Sequence, residues 1–297
     1  MFFLFNSKTY TGTDYSGNAL NVYRSALSFF FKLDIPDLGY HPIVTRLFSF
    51  FYKKRPNFPK YVVTWDVGIV IRFLAGWHPV SSLSLRQLTL KTVALVALTS
   101  CDRAQTLQAL RSDQVSVSPK GDVEFVIFDI LKTSRRGRPA RVVKCVKYHK
   151  PELDVANYVL KYMDRVLVFR LRSFNKGLGK PNQLFLSHKS GLPVTTATIS
   201  RWIKEVMALA GVDTSVFSPG STRGAAASAA ARRGASVEQI LGAGDWTNTG
   251  TFEQYYRRHV DTSPVGRLIL DGADVSFFLN ILHICLFDFW TLCFGDG

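Results

Sequence analysis

A helix that is apolar on every side leaves little choice of fold, and residues 84–100 read as one. Leu88, Leu90, Val93, Leu95, Val96 and Leu98 fall all the way round it at 3.6 residues per turn. A helix without a polar face must be enclosed by other elements, so it belongs at the centre of a domain. The chain has 297 residues and is 47% hydrophobic, which suffices for one large domain or two modest ones.

The rest of the pattern is arranged around that helix. Asn18 to Phe31 (Ala19, Val22, Ala26, Leu27, Phe30) and Pro42 to Phe51 (Ile43, Leu47, Phe50) place apolar side chains three and four apart, predicting two amphipathic helices. Arg55-Pro56-Asn57-Phe58-Pro59-Lys60 then interrupts the pattern with two prolines, and a domain boundary is expected near 55–62. Trp65 to Leu74 is again helical. Val115 to Val117, Val123 to Ile130 and Arg141 to Val146 are strand-like, and Ser118-Pro119-Lys120-Gly121 and Gly137-Arg138-Pro139 supply the turns between them. Helices return over Pro151 to Arg170, Thr195 to Ala210, Ser221 to Arg233 and Ser236 to Leu241, with Gly211 and Gly234 as stops. The expected fold class is mainly α with a small antiparallel β-sheet (α+β), a helical domain preceding a larger one that contains the sheet.

Charge narrows the partner. The chain carries 37 Lys and Arg against 22 Asp and Glu, net +15. Residues 261–297 contain Arg267 and five aspartates, which leaves 36 basic and 17 acidic residues in 1–260, net +19. A polyanion is the first partner to suspect. The densest block holds Lys132, Arg135, Arg136, Arg138, Arg141, Lys144 and Lys147 without a carboxylate, so it must be solvated or face an anion. Cys101, Cys145, Cys285 and Cys293 have neither metal-ligand nor disulfide-framework spacing, and a reducing compartment fits them. The apolar start, Met1 to Asn6, is too short for a signal peptide core, so secretion is not expected.

Five short segments occur in one order: Thr99-Ser100-Cys101-Asp102-Arg103-Ala104-Gln105-Thr106-Leu107, Leu131-Lys132-Thr133-Ser134-Arg135, Ser221-Thr222-Arg223-Gly224-Ala225, Gly244-Asp245-Trp246-Thr247-Asn248, and Tyr255-Tyr256. Together they resemble the tyrosine recombinase/integrase (phage integrase-like) family, in particular its transposon-borne eukaryotic branch. The similarity covers roughly residues 15–260. It implies a truncated helical core-binding (SAM-like) DNA-binding domain over 1–58 and a catalytic domain over 59–260, with 261–297 a hydrophobic C-terminal tail. It also implies DNA cleavage and rejoining through a 3′-phosphotyrosine on double-stranded DNA, by a homo-tetramer that needs no metal and no small-molecule cofactor. The setting would be the nucleus in a eukaryote and the cytoplasm otherwise.

Residue types agree with that chemistry. A phosphodiester under attack develops charge on its nonbridging oxygens, which two forked, permanently charged guanidiniums can clamp. Arg103 and Arg223 are the candidates. A phenol has an unperturbed pKa near 10, so an attacking tyrosine needs cationic donors beside it. By resemblance Lys132 protonates the leaving 5′ oxygen, Trp246 contacts the scissile phosphate, and Tyr256 is the nucleophile, with Tyr255 as the alternative. Arg135, Arg136, Arg138, Arg141 and Lys144 are expected to bind DNA.

Two features depart from the family. Three residues before the second arginine, where the family usually has His, stands Gly220, which can neither accept nor donate a side-chain proton. This leaves a second expectation open, a catalytically impaired DNA-binding protein of the same descent. Val275 to Phe294 approaches the length of a membrane span, but Asp288 within it and its acidic flanks argue against insertion. A helix docked on its own or a neighbouring protomer and an extension foreign to the domain are the other readings of that tail.

Overall fold

The computed structural model describes residues 15–255, except 16, 33, 55–60, 133, 135, 138 and 176–181. Tyr256, Arg135, Arg138, the proline-bearing linker and the tail thus lie outside the described residues. Two compact units divide between Tyr61 and Val62.

In the first unit α1 (Gly17–Phe30) and α2 (Pro42–Lys54) are joined through a 3-10 turn at Leu38–Tyr40. Gly39 is buried in that turn close to Ser28, whose Oγ would lie 2.3 Å from a Cβ at that position. The Arg24 guanidinium lies 5.1 Å from the centre of the Phe48 ring, linking the two helices.

The second unit is built around α4 (Leu85–Ser100). Ser84 and Gln87 form a capping box, which sets the first residue of the helix. From Leu88 to Leu98 every side chain is buried, as its all-round apolar pattern requires. α3 (Val67–Ala75), α6 (Val155–Asn175), α7 (Thr196–Leu209) and α8 (Ser221–Arg232) pack on it, together with β3. The one charged residue of that buried stretch is Lys91, fully buried, whose Nζ donates to the carbonyls of Leu74 and Trp77, each at 2.7 Å. The ammonium thereby caps the end of α3 and lies 4.0 Å from the centre of the Tyr158 ring.

A three-stranded antiparallel sheet, β1 (Val115–Val117), β2 (Val123–Ile127) and β3 (Arg141–Cys145), lies in that order. Val123, Phe125 and Ile127 of β2 face the core with Val143 and Cys145 of β3. The ladder begins at Ile127 opposite Arg141. It is shorter than the sequence suggested: β2 stops at Ile127 rather than Ile130. Continuing the register would set Asp129 against Pro139, which has no N–H to donate. Phe128 and Ile130 accordingly leave the ladder and are 70% and 88% exposed. Two short helices were not anticipated, α5 (Ala104–Gln108) and α10 (Thr249–Tyr255); between α8 and α10 lies α9 (Val237–Gly244). No helix among the described residues is long and apolar enough to cross a membrane.

Burial shifts several titrations within this core. It pushes the thiols of Cys101 and Cys145 and the phenols of Tyr158 and Tyr162 up to about 12, and lowers Lys91 to about 8. Above pH 9 the unfolded chain releases protons from the two thiols, and later from the two phenols, that the folded chain keeps. Each such group makes stability fall with rising pH, by at most about 1.4 kcal/mol per pH unit. Lys91 acts in the opposite sense, because the unfolded chain holds its proton longer than the folded one. Four groups against one predict a urea midpoint that falls between about pH 9 and about pH 11. A midpoint that rises across that interval would contradict the burial described.

Candidate active site

Two turns deliver the functional side chains, and each contains a non-glycine residue in the left-handed region. Cys101 (φ 54°) ends α4 and Asp245 (φ 55°) ends α9. Such conformations are costly for residues with a Cβ and persist where surrounding contacts enforce them, often at functional sites. After Cys101 the chain runs through Asp102 to Arg103, which is extended and caps the start of α5. After Asp245 it runs to Trp246, whose backbone N–H donates back to the Leu241 carbonyl at 3.0 Å.

Arg223 joins these turns. It is the third residue of α8, whose start is fixed by Trp65 Nε1 donating to Ser221 Oγ at 2.9 Å, while that hydroxyl donates to the Ser218 carbonyl at 2.7 Å. Ala225, Ala226, Ala227 and Ala229 let α8 sit deep in the unit. The Arg223 side chain is therefore enclosed, with the residue only 4% exposed. Its Nη1 donates to the Cys101 carbonyl at 3.1 Å, and its guanidinium carbon lies 3.8 Å from the centre of the Trp246 ring. Trp246 is buried in turn against Phe252, whose ring centre is 5.7 Å away at 60°. Gly244 also packs against Trp246, and a Cβ there would stand 1.7 Å from the indole.

The same corner holds a second link, which the sequence did not reveal. Arg141, the first residue of β3, donates from Nη2 to Asp102 Oδ2 at 2.8 Å and from Nη1 to the Gly242 carbonyl at 2.9 Å, and Nη2 also reaches the Ala243 carbonyl. Burial raises the Asp102 carboxyl above its ordinary value, and the adjoining Arg141 charge pulls it back.

The expected site residues thus fall into groups. Arg223 and Trp246 meet at the Cys101 turn, and Arg103 follows two residues after Cys101; Arg103 is half-buried, and among the described residues its side chain has no hydrogen-bond or ion-pair partner. Lys132 and Arg136 are exposed in the loop between β2 and β3, and no described contact joins Lys132 to either arginine. That loop is shaped by Ser134, whose hydroxyl accepts from Leu131 N at 2.9 Å while its own N–H donates to the Leu131 carbonyl at 3.0 Å. Lys144 pairs with Glu124 across the sheet at 2.7 Å, an exposed contact of small energy. Tyr255 ends α10, with its side chain outside the description. Gly220 is exposed at φ −65°, ψ −19°, and Ser218 Oγ at 3.8 Å is the nearest neighbour its Cβ would have. Glycine is therefore demanded there neither by backbone nor by space. No three His, Cys, Asp or Glu side chains group as metal ligands among the described residues.

Chemically, the corner holds one enclosed guanidinium, Arg223, against the turn that leads into Arg103, and fixed positive charge in such a partly water-excluded place acts strongly on nearby negative charge. Neither protein-family models nor curated proteins match the sequence. Solved structures similar to it include XerA recombinase, at 16% identity and TM-score 0.48 over 87% of this chain and 83% of that one. The XerH site-specific recombinase bound to difH substrate gives 13%, TM-score 0.47, and 88% and 71%. The Tn1549 transposon integrase in complex with circular intermediate DNA gives 16%, TM-score 0.48, and 81% and 75%.

The two glycines at this corner should respond oppositely to substitution. Gly220→His finds open space and a common backbone conformation, and should change stability by less than about 1 kcal/mol. Gly244→Ala, which in an ordinary helix would stabilise, drives a methyl into the Trp246 ring and should cost about 1–3 kcal/mol. Thermal melting of both variants checks this; an unchanged or raised melting temperature for Gly244→Ala would contradict the packing.

Proposed function

We propose that this chain breaks and rejoins double-stranded DNA as a tyrosine recombinase. The observation that carries the reading is the convergence of the Arg103 turn, Arg223 and Trp246, brought together from positions 122 residues apart (Cys101 and Arg223) and beyond. In the proposed reaction the Tyr256 oxygen attacks a phosphodiester and loses its proton to water, since Gly220 offers no base. The bond to the 5′ oxygen breaks, and Lys132 gives that oxygen its proton. Arg103 and Arg223 hold the charge on the nonbridging oxygens. The 5′-hydroxyl of another strand then attacks the 3′-phosphotyrosine, returning its proton to Lys132, and Tyr256 is reprotonated as it leaves. Four protomers on two duplexes, a mobile-element origin, and action in the nucleus of a eukaryotic host or otherwise in the cytoplasm complete the proposal. The basic loop supplies backbone contacts whose affinity falls steeply with salt.

A second reading is favoured by Gly220, which is exposed and without a titratable group at a position with room for one. In that reading the chain binds DNA without cutting it.

Covalent trapping separates the two. Purified protein incubated without metal with a pool of nicked duplexes of randomised sequence should yield a protein–DNA adduct on a denaturing gel, mapped by peptide analysis to Tyr256. Arg223→Lys keeps the charge but not the fork, and should reduce the rate of adduct formation by about 100-fold. An adduct at Tyr255 would shift the nucleophile by one residue. Salt-sensitive binding without any adduct would support the second reading, and absence of DNA binding would sink both.

A further inference from the structure

A basic residue in a basic loop invites assignment to phosphate, yet the Arg141 guanidinium points inward. Its side chain is 14% exposed, and its partner Asp102 is 1% exposed. Asp102 Oδ1 is buried without a hydrogen bond among the described contacts, and Arg141 is the ion-pair partner of this carboxylate. The other two contacts fall on carbonyls of Gly242 and Ala243, in the last turn of α9, where a cation is favoured by the negative end of the helix dipole. One planar fork therefore spans a carboxylate and two carbonyls, a set that a lysine ammonium on a flexible stem does not match.

The segments it touches are those that bear the site. Asp102 immediately precedes Arg103. Gly242 and Ala243 immediately precede Gly244, which packs closely against the Trp246 ring. Arg141 itself is the first rung of the β2–β3 ladder, opposite Ile127, and so forms the base of the loop that carries Lys132. Two links run in parallel between the Cys101–Arg103 turn and the end of α9: Cys101 carbonyl to Arg223 to the Trp246 ring, and Asp102 to Arg141 to the α9 carbonyls. The second alone also ties in the loop.

We infer that Arg141 is a positioning residue of the proposed cleavage site: through Asp102 and the carbonyls of Gly242 and Ala243 it sets the Arg103 turn, the Trp246 corner and the Lys132 loop in one register, and it makes no phosphate contact itself. This rests on the recombinase reading for the reaction but not for the positioning. Displacing a catalytic group by about 1 Å costs on the order of 100-fold in rate.

The test uses the full chain and three variants, Arg141→Lys, Asp102→Asn and the double variant Asp102→Asn/Arg141→Met, which leaves no buried charge unpaired. Single-turnover cleavage at saturating DNA, corrected to the folded fraction, should fall about 100-fold in Arg141→Lys and in Asp102→Asn. The double variant should be no slower than the worse single one, because the pair acts as a unit. DNA affinity and its salt slope should be unchanged in the double variant. A salt slope shallower by about one unit would make Arg141 a phosphate contact and overturn the inference. So would full cleavage by the folded fraction of both single variants, or losses that multiply in the double. If the unaltered protein forms no adduct, the recombinase reading fails while positioning stays testable. The near-ultraviolet circular dichroism band of Trp246, identified by its loss in Trp246→Phe, should then weaken in Arg141→Lys and Asp102→Asn, and an unchanged band would overturn it.

Discussion

A guanidinium taken out of water is the constraint on which the rest of this molecule depends. Removing such a charge from solvent costs several kcal/mol unless its donors and its face are met. At Arg223 one donor meets the Cys101 carbonyl, and the face lies on Trp246, a stack worth about 2 kcal/mol when desolvated. Both partners are held by strained turns, at Cys101 and Asp245, and neither turn would keep its shape without the packing behind it. The alanines of α8 bring the arginine deep enough to reach them. Burial of one charge thereby fixes the end of α4, the start of α5 and the corner between α9 and α10.

The two arginines on this corner differ in what they leave for a ligand. Arg223 is enclosed by the fold, whereas Arg103, half-buried at the foot of α4, has a side chain without a described partner. In the proposed reaction, one fixed cation and one reachable cation would serve an anion that is bound, reacts and is exchanged. Preorganisation costs are then met during folding, and none is left for the moment of reaction. Arg141 and Asp102 belong to the fixed half, where breaking one partner would strand a buried charge at about 3–5 kcal/mol.

Much of this architecture was legible in the sequence because it follows from pattern. The apolar circuit of Leu88 to Leu98 required a central helix, and the start expected at residue 84 agrees with the Ser84 cap. Strand-forming residues between turn residues marked β2, while its inward face, Val123, Phe125 and Ile127, came with the structure. The order of Arg103, Arg223 and Trp246 pointed to one site. What stayed hidden depends on three-dimensional partners. No local rule tells that Arg141, amid six other cations, turns inward to Asp102, or that Asp102, beside a candidate clamp residue, is buried. Cys101 and Asp245 take a conformation that glycine would have signalled and they do not. The early end of β2 was readable from Pro139 only once the register was known. Gly244 was quoted in a motif, but its close approach to Trp246 needed coordinates.

The most direct test of the central claim, that Arg103 and Arg223 exist to hold phosphate charge, uses DNA in which that charge is absent. A duplex carrying a neutral methylphosphonate at the cleaved position removes the negative nonbridging oxygen the clamp is said to neutralise. Arg103→Ala should cleave the ordinary phosphate about 100-fold more slowly than the unaltered protein, yet cleave the methylphosphonate at a comparable rate. An equal deficit on both substrates would mean that Arg103 does not act on phosphate charge, and would contradict the account.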